Sequence, residues 1–230
     1  MKRFAVLAAL LLAAAPLRAQ TPVLLTPEQY APLKFLPAPP PPGSAQARAE
    51  VAEVKRIQAA ASPARMTAAA WDDAHEDLSV FLDAMGAQGR ALPATAELIH
   101  VLIKSESRAA SAAKKAFKRD RPWVVDASIR TCTPHAEGIG TTSYPSGHAS
   151  VGYAMAGVLS SLMPAKSKAL MARADMFGES RIVCGYHFRS DITAGKTLGT
   201  LVATNLLRSP GFKPYYAAAK AELKAAGLAQ

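Results

Sequence analysis

Two histidines in the second half of the chain stand in patterns that could bind and process an anion. His148 follows Pro-Ser-Gly in the segment "YPSGH", just before a long apolar run. A Pro-Ser-Gly turn at a helix start presents backbone N–H groups and the Ser146 hydroxyl to an anion, because helix N-termini carry partial positive charge. His148 would lie beside anything bound there. The alternative interpretation of these four residues is a helix start with an incidental histidine.

The second histidine, His187, lies in the segment "ESRIVCGYHFRSD". Asp191 follows His187 by four residues, about one helical turn, so its carboxylate is expected to accept the Nδ1 proton and leave Nε2 free as a nucleophile. Arg181 precedes His187 by six residues and adds a cation. A surface His/Asp pair without a catalytic task is the alternative for this segment.

A basic stretch, "KKAFKRDRP", lies upstream of both histidines. Lys114 and Arg121 are seven residues apart, about two helical turns, which places them on one face with Lys118 between them. Pro122 disfavours helical geometry at Arg121, so the helix is predicted to end near that residue. Taken alone, the stretch is more typical of a solvated basic helix end, and no interleaved aromatic stripe indicates nucleic-acid binding.

Together the three segments supply two histidines and three cations for one anion. Phosphoryl transfer uses such a set: cations hold the equatorial oxygens, a nucleophile attacks in line, and an acid protonates the leaving group. The chain carries 27 Lys and Arg against 17 Asp and Glu, a net charge of +10. This surplus suits an anionic partner, but it does not choose among phosphate, nucleic acid and membrane surface.

The three segments resemble, in order, the signature of the type 2 phosphatidic acid phosphatase superfamily. That signature is Lys, six residues, Arg-Pro; then Pro-Ser-Gly-His; then Ser-Arg, five residues, His, three residues, Asp. Every position is filled here, by Lys114, Arg121, Pro122, Pro145, Ser146, Gly147, His148, Ser180, Arg181, His187 and Asp191.

Other features of the chain are similar to the class A bacterial non-specific acid phosphatases. These features are an export signal, the "LPAPPPPGS" arm and the "GES" before Arg181. Phe188-Arg189 stand where those enzymes often carry Trp-Gln, a departure that keeps the catalytic set intact, while the resemblance then does not fix the shape of the pocket or the substrate preference.

The resemblance implies a role for each matched residue. His187 would attack phosphorus and form a phosphohistidine, His148 would protonate the leaving group, and Asp191 would orient His187. The phosphate oxygens would be bound by Lys114, Arg121, Ser146, Gly147 and Arg181. The family needs no metal or other cofactor, and none is expected here. The remaining histidines match no motif and are interpreted as structural or surface residues: His75, His100 and His135.

The function implied is that of a secreted or periplasmic non-specific acid phosphatase acting on small phosphate monoesters: nucleotides, sugar phosphates and aryl phosphates. An acidic optimum is expected, because the acid must be protonated while the nucleophile is neutral. Stable nucleic-acid binding is not expected, and homo-oligomers are left open. The alternatives are a vanadate-dependent haloperoxidase, a membrane lipid phosphatase of the same superfamily, and a periplasmic anion-binding protein without turnover.

The N-terminal segment predicts export. Lys2 and Arg3 precede an apolar run, Phe4 to Leu17, that is too short to span a bilayer, and a small residue follows at position 19. This pattern indicates a signal peptide over residues 1–19. Residues 20–43 are rich in proline and are predicted to form an extended arm across the domain surface. Residues 44–230 would form the phosphatase domain, and no membrane span is expected after cleavage of the signal.

The fold class predicted is all-α, a single-domain helical bundle with an N-terminal Pro-rich extended arm. From Ser44 onward the chain is rich in Ala, Leu and Met at helical spacing. Ser44 is predicted to cap a helix over residues 45–61. Further helices are predicted over Met66–Met85, Thr95–Lys118, Ala149–Leu162, Lys166–Ile182, Asp191–Leu207 and Pro214–Ala226.

The two cysteines, Cys132 and Cys184, predict one disulfide in an exported chain. Two free thiols are the alternative. Within the resemblance, the bond would brace the segment before His187 against the loop over residues 120–144.

Overall fold

The computed structural model describes residues 22–229, and the predicted signal peptide over residues 1–19 lies outside them. The described part of the chain is helical and contains no β-strand, as predicted. Its seven longer helices are α1 Ala45–Ala60, α2 Pro63–Ala74, α3 Pro93–Phe117, α4 Gly147–Leu162, α5 Ser167–Val183, α6 Arg189–Arg208 and α7 Lys213–Ala225. Short helical turns lie at Pro27–Tyr30, Pro32–Phe35, Leu78–Phe81, Leu82–Met85, Pro122–Val125 and Pro164–Lys166.

Serine caps begin three of these helices. The side chains of Ser44, Ser62 and Ser146 each accept a hydrogen bond from a backbone N–H three residues on, at the starts of α1, α2 and α4. Apart from the segment around α2, the predicted helices differ from the observed ones by only a residue or two at each end.

The single helix predicted over Met66–Met85 is wrong. Helix α2 ends at Ala74, and the chain resumes helical turns only at Leu78. The Asp77 side chain accepts a hydrogen bond from the Ser79 N–H at 2.8 Å. Such a local cap favours a new helical start at Leu78, so one helix does not continue through the polar residues 75–77, although apolar residues resume after them. The break places Glu76 in the turn after α2.

Residues 22–43, the proline-rich arm, lie against the helical domain. The Leu24 N–H donates to Ser105 Oγ at 3.1 Å, and the Tyr144 hydroxyl donates to the carbonyl of Pro37 at 2.6 Å. Leu25 and Leu36 are buried. The arm is less extended than predicted, because two short helical turns interrupt it before the proline run.

Helix α4 is the centre of the bundle. Ten of its residues are buried, and it packs mainly on α5 and α6. The prediction that this uncharged segment is a buried core helix is confirmed. Within residues 22–229, no helix combines the length and the apolar character needed to cross a membrane.

Two glycines on α6 allow its backbone to approach α4 closely. A Cβ atom at Gly199 would lie 2.1 Å from the carbonyl oxygen of Ser150, and one at Gly195 would lie 2.6 Å from that of Ser146. No larger residue fits either position unless the helices separate. Because His148 lies in the first turn of α4 and His187 just precedes α6, this contact also sets the spacing of the two histidines.

The disulfide predicted between Cys132 and Cys184 is present. Cys184 directly follows α5, and Cys132 lies in the loop that leads to α4. The Gln58 amide strengthens the same junction by donating to the carbonyls of Arg130, at 2.6 Å, and Val183, at 3.1 Å. Closing a loop of this length disfavours the unfolded chain by roughly 4 kcal/mol. The bond therefore ties the segment before His187 to the loop.

We expect Gly199→Ala to lower the free energy of unfolding by about 2–3 kcal/mol, the upper part of the range for overpacked cores, because the new methyl group meets backbone. Urea denaturation of the oxidised protein would measure this difference. Thr200→Ala, at the exposed neighbouring position on the same helix, is the matched control and should stay close to the wild type. A Gly199→Ala protein as stable as the wild type would contradict the close packing of α4 on α6.

Candidate active site

A cavity of about 330 Å³ opens where α3, the start of α4 and the segment between α5 and α6 meet. Six residues predicted for the site line it: Lys114, Arg121, Gly147, His148, Arg181 and His187. The structure therefore brings the three sequence segments together, with both histidines facing the same space. The rest of the lining consists of Glu76, Glu106, Ser107, Ala110, Ser111, Ile139 and Tyr186.

Ser146 and Asp191 lie behind the cavity, and both are fully buried. Ser146 Oγ accepts a hydrogen bond from the Ala149 N–H at 3.3 Å, and its own N–H donates to the Asp191 carbonyl at 3.0 Å. The hydroxyl predicted to bind phosphate is thus used as the N-cap of α4. A direct contact between Ser146 and phosphate stays a prediction.

His187 is buried, with its two ring nitrogens in different surroundings. Nε2 lies 3.0 Å from a guanidinium nitrogen of Arg121. Because a guanidinium can only donate, Nε2 must carry the lone pair and the proton of the neutral ring sits on Nδ1. Nδ1 lies 3.5 Å from Asp191 Oδ2 and has no hydrogen-bond partner among residues 22–229. The predicted pairing of Asp191 with His187 is therefore a close contact, longer than a hydrogen bond.

The carboxylate of Asp191 is held by other groups. Oδ2 accepts hydrogen bonds from the Phe188 N–H at 2.8 Å and the Ser143 hydroxyl at 2.6 Å. Oδ1 accepts from Arg119 at 2.6 Å. Burial raises the pKa of Asp191, whereas Arg119, Ser143 and the Phe188 N–H favour the ionised form. The carboxylate is fixed in place next to the Nδ1–H of His187.

Arg119 was not among the residues predicted for the site. Its guanidinium also donates to Glu50 Oε2 at 2.6 Å and lies 4.4 Å from the centre of the Phe188 ring. Glu50, on α1, in turn accepts from the Ser190 N–H at 2.8 Å. Arg119 thus links α1 to the start of α6. Within the basic stretch, spacing alone does not distinguish it from its neighbours.

The route by which Lys114 and Arg121 meet differs from the predicted one. Helix α3 ends at Phe117, and Lys118 takes a left-handed conformation with φ 47°. Arg121 therefore reaches the cavity from the loop after α3, where its N–H donates to the Gly140 carbonyl at 2.7 Å. The shared helical face predicted for these cations is wrong, although both side chains line the cavity.

The three cations that line the cavity are largely removed from water. Burial, reinforced by the charge of Arg121, lowers the pKa of Lys114 to about 7, and burial lowers that of Arg121 to about 10. Lys114 Nζ donates to the Thr142 carbonyl at 2.6 Å. Concentrated, partly desolvated positive charge of this kind is typical of an anion-binding site.

Asp73, at the end of α2, orients the third cation. Its carboxylate accepts a hydrogen bond from Arg181, whose guanidinium also lies 4.5 Å from the centre of the Tyr186 ring. Arg181 Nε has no hydrogen-bond partner within the described part of the chain. One edge of this guanidinium is therefore held by protein, and its Nε–H has no protein acceptor.

His148 is held between two acceptors, one at the end of α2 and one in the turn after it. Nδ1 lies 2.9 Å from Glu76 Oε1, and Nε2 lies 3.2 Å from the carbonyl oxygen of Asp73. Burial and the charge of Arg181 lower the pKa of His148, and Glu76 opposes them. The same kind of burial, with Arg121, Lys114 and Arg181, lowers the pKa of His187 well below its ordinary value. His187 is thus neutral even in mildly acidic solution.

The substituted pair Phe188-Arg189 lies outside the cavity lining. Phe188 is buried against Arg119, and Arg189 forms ion pairs with Glu53 and Glu179. His75 and His135 stack on tryptophan rings, and His100 is exposed on α3. Across residues 22–229, no group of three or more His, Cys, Asp or Glu side chains has the arrangement of a metal site.

A family model described as PAP2 superfamily matches residues 94–214, more than half of the chain, and this match includes all three segments that line the cavity. The chain belongs to the PAP2 superfamily.

Three curated relatives of this PAP2 chain are phosphatases by name. A non-specific acid phosphatase of Salmonella typhimurium is 38% identical over 117 residues, 50% of this chain and 46% of that protein. The non-specific acid phosphatase of Salmonella typhi is 33% identical over 166 residues, 66% of each chain. An acid phosphatase of Zymomonas mobilis is 41% identical over 106 residues, 45% of this chain and 40% of that protein. The match thus spans about half the length of the first of these relatives.

The PAP2 fold of the chain is also similar to the crystal structure of Aquifex aeolicus LpxE. The TM-score is 0.55 over 69% of this chain and 94% of that chain. At 19% sequence identity, this likeness shows a shared fold alone.

Proposed function

We propose that this PAP2 protein is a periplasmic or secreted acid phosphatase, which hydrolyses small phosphate monoesters through a phosphohistidine at His187. The observation that carries the proposal is that His148, His187 and three cations line one and the same cavity. The similarity to curated acid phosphatases supports the reaction. The disulfide and the predicted signal peptide support an oxidising compartment.

In the first step, Lys114, Arg121 and Arg181 hold the non-bridging oxygens of the substrate phosphate. In the free site, a guanidinium nitrogen of Arg121 lies 3.0 Å from His187 Nε2 and occupies its lone pair. Bound phosphate accepts the Arg121 hydrogen bond instead, which frees this lone pair. Nε2 then attacks phosphorus in line, the P–N bond forms and the ester P–O bond breaks. The ring becomes positively charged, and Asp191 stabilises it through the Nδ1 proton. Contacts of this kind are often long in a free site and shorten when substrate binds.

His148 supplies the proton for the leaving oxygen. In its protonated form both ring nitrogens donate, to Glu76 and to the Asp73 carbonyl. When the ester binds, its leaving oxygen takes the place of the Asp73 carbonyl beside Nε2 of His148. This oxygen receives the Nε2 proton as the P–O bond breaks. In the second step the neutral His148 takes a proton from water, the hydroxyl oxygen attacks phosphorus, and the P–N bond breaks. Inorganic phosphate leaves, and both histidines return to their starting forms.

The side chains of the cavity supply the positive charge that many phosphatases take from metal ions. Lys114, Arg121 and Arg181 face the phosphate site, and each can form charge-assisted hydrogen bonds with its oxygens. We therefore propose that turnover is independent of added metal.

Turnover of an aryl phosphate and a nucleoside monophosphate near pH 5, with and without a chelator, tests the proposal. We expect full activity with the chelator, and a fall of about 10³-fold or more in His187→Ala, because the nucleophile is lost. His100→Ala, at an exposed position on α3, is the matched control. A protein-bound, acid-labile phosphate should form in the wild type and be absent from His187→Ala.

Three results would contradict parts of this proposal. Activity of His187→Ala near that of the wild type would exclude the phosphohistidine. Loss of turnover on chelation would exclude metal independence. Halide oxidation with added vanadate, without phosphate release from either ester, would favour the haloperoxidase alternative.

The pH dependence of kcat/KM follows from the pKa directions in the free site. His187, with its pKa well below the ordinary value, stays neutral as the pH falls below 6.5. The pKa of His148 is also lowered, so its ring loses the proton at a pH below 6.5. Lys114, with a pKa of about 7, loses its charge as the pH rises further. We therefore expect a bell-shaped profile with its maximum on the acid side and a fall of about tenfold or more per pH unit above 7.

Glu76→Gln tests which group causes the falling limb. Because the Glu76 carboxylate favours the protonated imidazole of His148, its removal should move the falling limb to lower pH. Glu76→Asp should move it less. A profile that is flat between pH 5 and 8 in the wild type would contradict the roles of the two histidines.

A further inference from the structure

Part of the cavity wall lies beyond the residues that are proposed to bind phosphate. Beyond the histidines and cations, the lining includes Glu76, Glu106, Ser107 and Ser111. Glu106 and Lys114 are eight residues apart on α3, so they share a face and lie about 12 Å apart along the helix axis. An ester whose phosphate is held at Lys114 has the Glu106 side of the same cavity available for its leaving group.

Glu106 is buried in an unusual way for a carboxyl group. Its exposed fraction is only 3%, and it lines the cavity. Its Oε1 forms no hydrogen bond of ordinary distance and angle in the described part of the protein, and neither does the hydroxyl of Ser150, a neighbour close enough to favour the ionised form of Glu106. Buried polar atoms are almost always paired, so a carboxyl group at a cavity wall that lacks a well-formed hydrogen bond at one oxygen is placed to bind a ligand.

The charge state of Glu106 indicates what that partner is. Burial, with a contribution from Glu76, raises the pKa of Glu106 to about 8, against the opposing effects of Ser150 and Lys114. At acid pH the group is a neutral carboxylic acid, with one O–H donor and one C=O acceptor. A hydroxyl group, which both donates and accepts, matches this pair. An ammonium group can only donate, and a hydrocarbon does neither.

We infer that Glu106, with the hydroxyls of Ser107 and Ser111, forms a subsite for a hydroxyl-bearing leaving group. The preferred substrates are then phosphate esters of polyhydroxylated alcohols, such as glycerol or sugars. This inference rests on the proposed phosphatase activity of the same cavity.

The test compares kcat/KM at pH 5 for glycerol 1-phosphate and n-propyl phosphate, which share a three-carbon chain and differ in two hydroxyls. We expect the wild type to prefer the glycerol ester by on the order of tenfold, the effect of one or two hydrogen bonds. Glu106→Leu should abolish most of this preference. Glu106→Gln should keep most of it, because a neutral amide also has a donor and an acceptor.

Two further proteins and one further substrate sharpen the comparison. Glu97→Gln, an exposed carboxylate on α3, is the matched control and should keep the wild-type ratio. Ser111→Ala, at an exposed position of the cavity wall, should reduce the ratio and keeps the test decisive if Glu106→Leu does not fold. Aminoethyl phosphate should gain no advantage that depends on Glu106.

The outcomes separate this inference from the function on which it rests. Equal kcat/KM for the two esters in the wild type would overturn the subsite while leaving the phosphatase function in place. An unchanged ratio in both Glu106→Leu and Ser111→Ala would do the same. Hydrolysis of neither ester, nor of aryl phosphates, by the wild type would overturn the phosphatase function and the subsite together.

Discussion

Three cations buried beside two imidazoles are the constraint on which the site depends. Burial and mutual repulsion lower the pKa of Lys114 to about 7, so the folded protein holds this charge at a cost. Carboxylates offset part of the cost: Asp73 pairs with Arg181, and the charge of Asp191 favours the protonated forms of Lys114 and Arg121. A bound oxyanion would offset more of it, which is the physical reason to expect an anion in this cavity.

The fold keeps these charges together through contacts between elements distant in sequence. Gly195 and Gly199 allow α6 to approach α4. The disulfide ties the end of α5 to the loop before α4, and Arg119 joins α1 to α6. Each contact fixes a segment that carries a site residue. The histidines are thus positioned by backbone packing and covalent closure.

The sequence could predict six residues that line the cavity, because they stand at the spacing of the superfamily signature. Most helices were also predictable from capping serines, prolines and apolar periodicity. The groups that orient the site were not, since Asp73, Glu76 and Arg119 act through contacts that span many residues. The break after Ala74 was missed because the apolar pattern resumes at Leu78, where the side chain of Asp77 caps a new helical turn. Glu106 likewise lies in an ordinary helical segment, and only its burial and its place in the cavity wall distinguish it.

A crystal structure of the oxidised protein with orthovanadate tests the central claim most directly, because five-coordinate vanadate resembles the transition state of phosphoryl transfer. We predict that vanadium is bonded to Nε2 of His187 and that an apical oxygen lies within hydrogen-bond distance of the His148 ring. The equatorial oxygens should accept hydrogen bonds from the three cations that line the cavity. Vanadate bound at another place, or bound in the cavity in contact with only one of the two histidines, would contradict it.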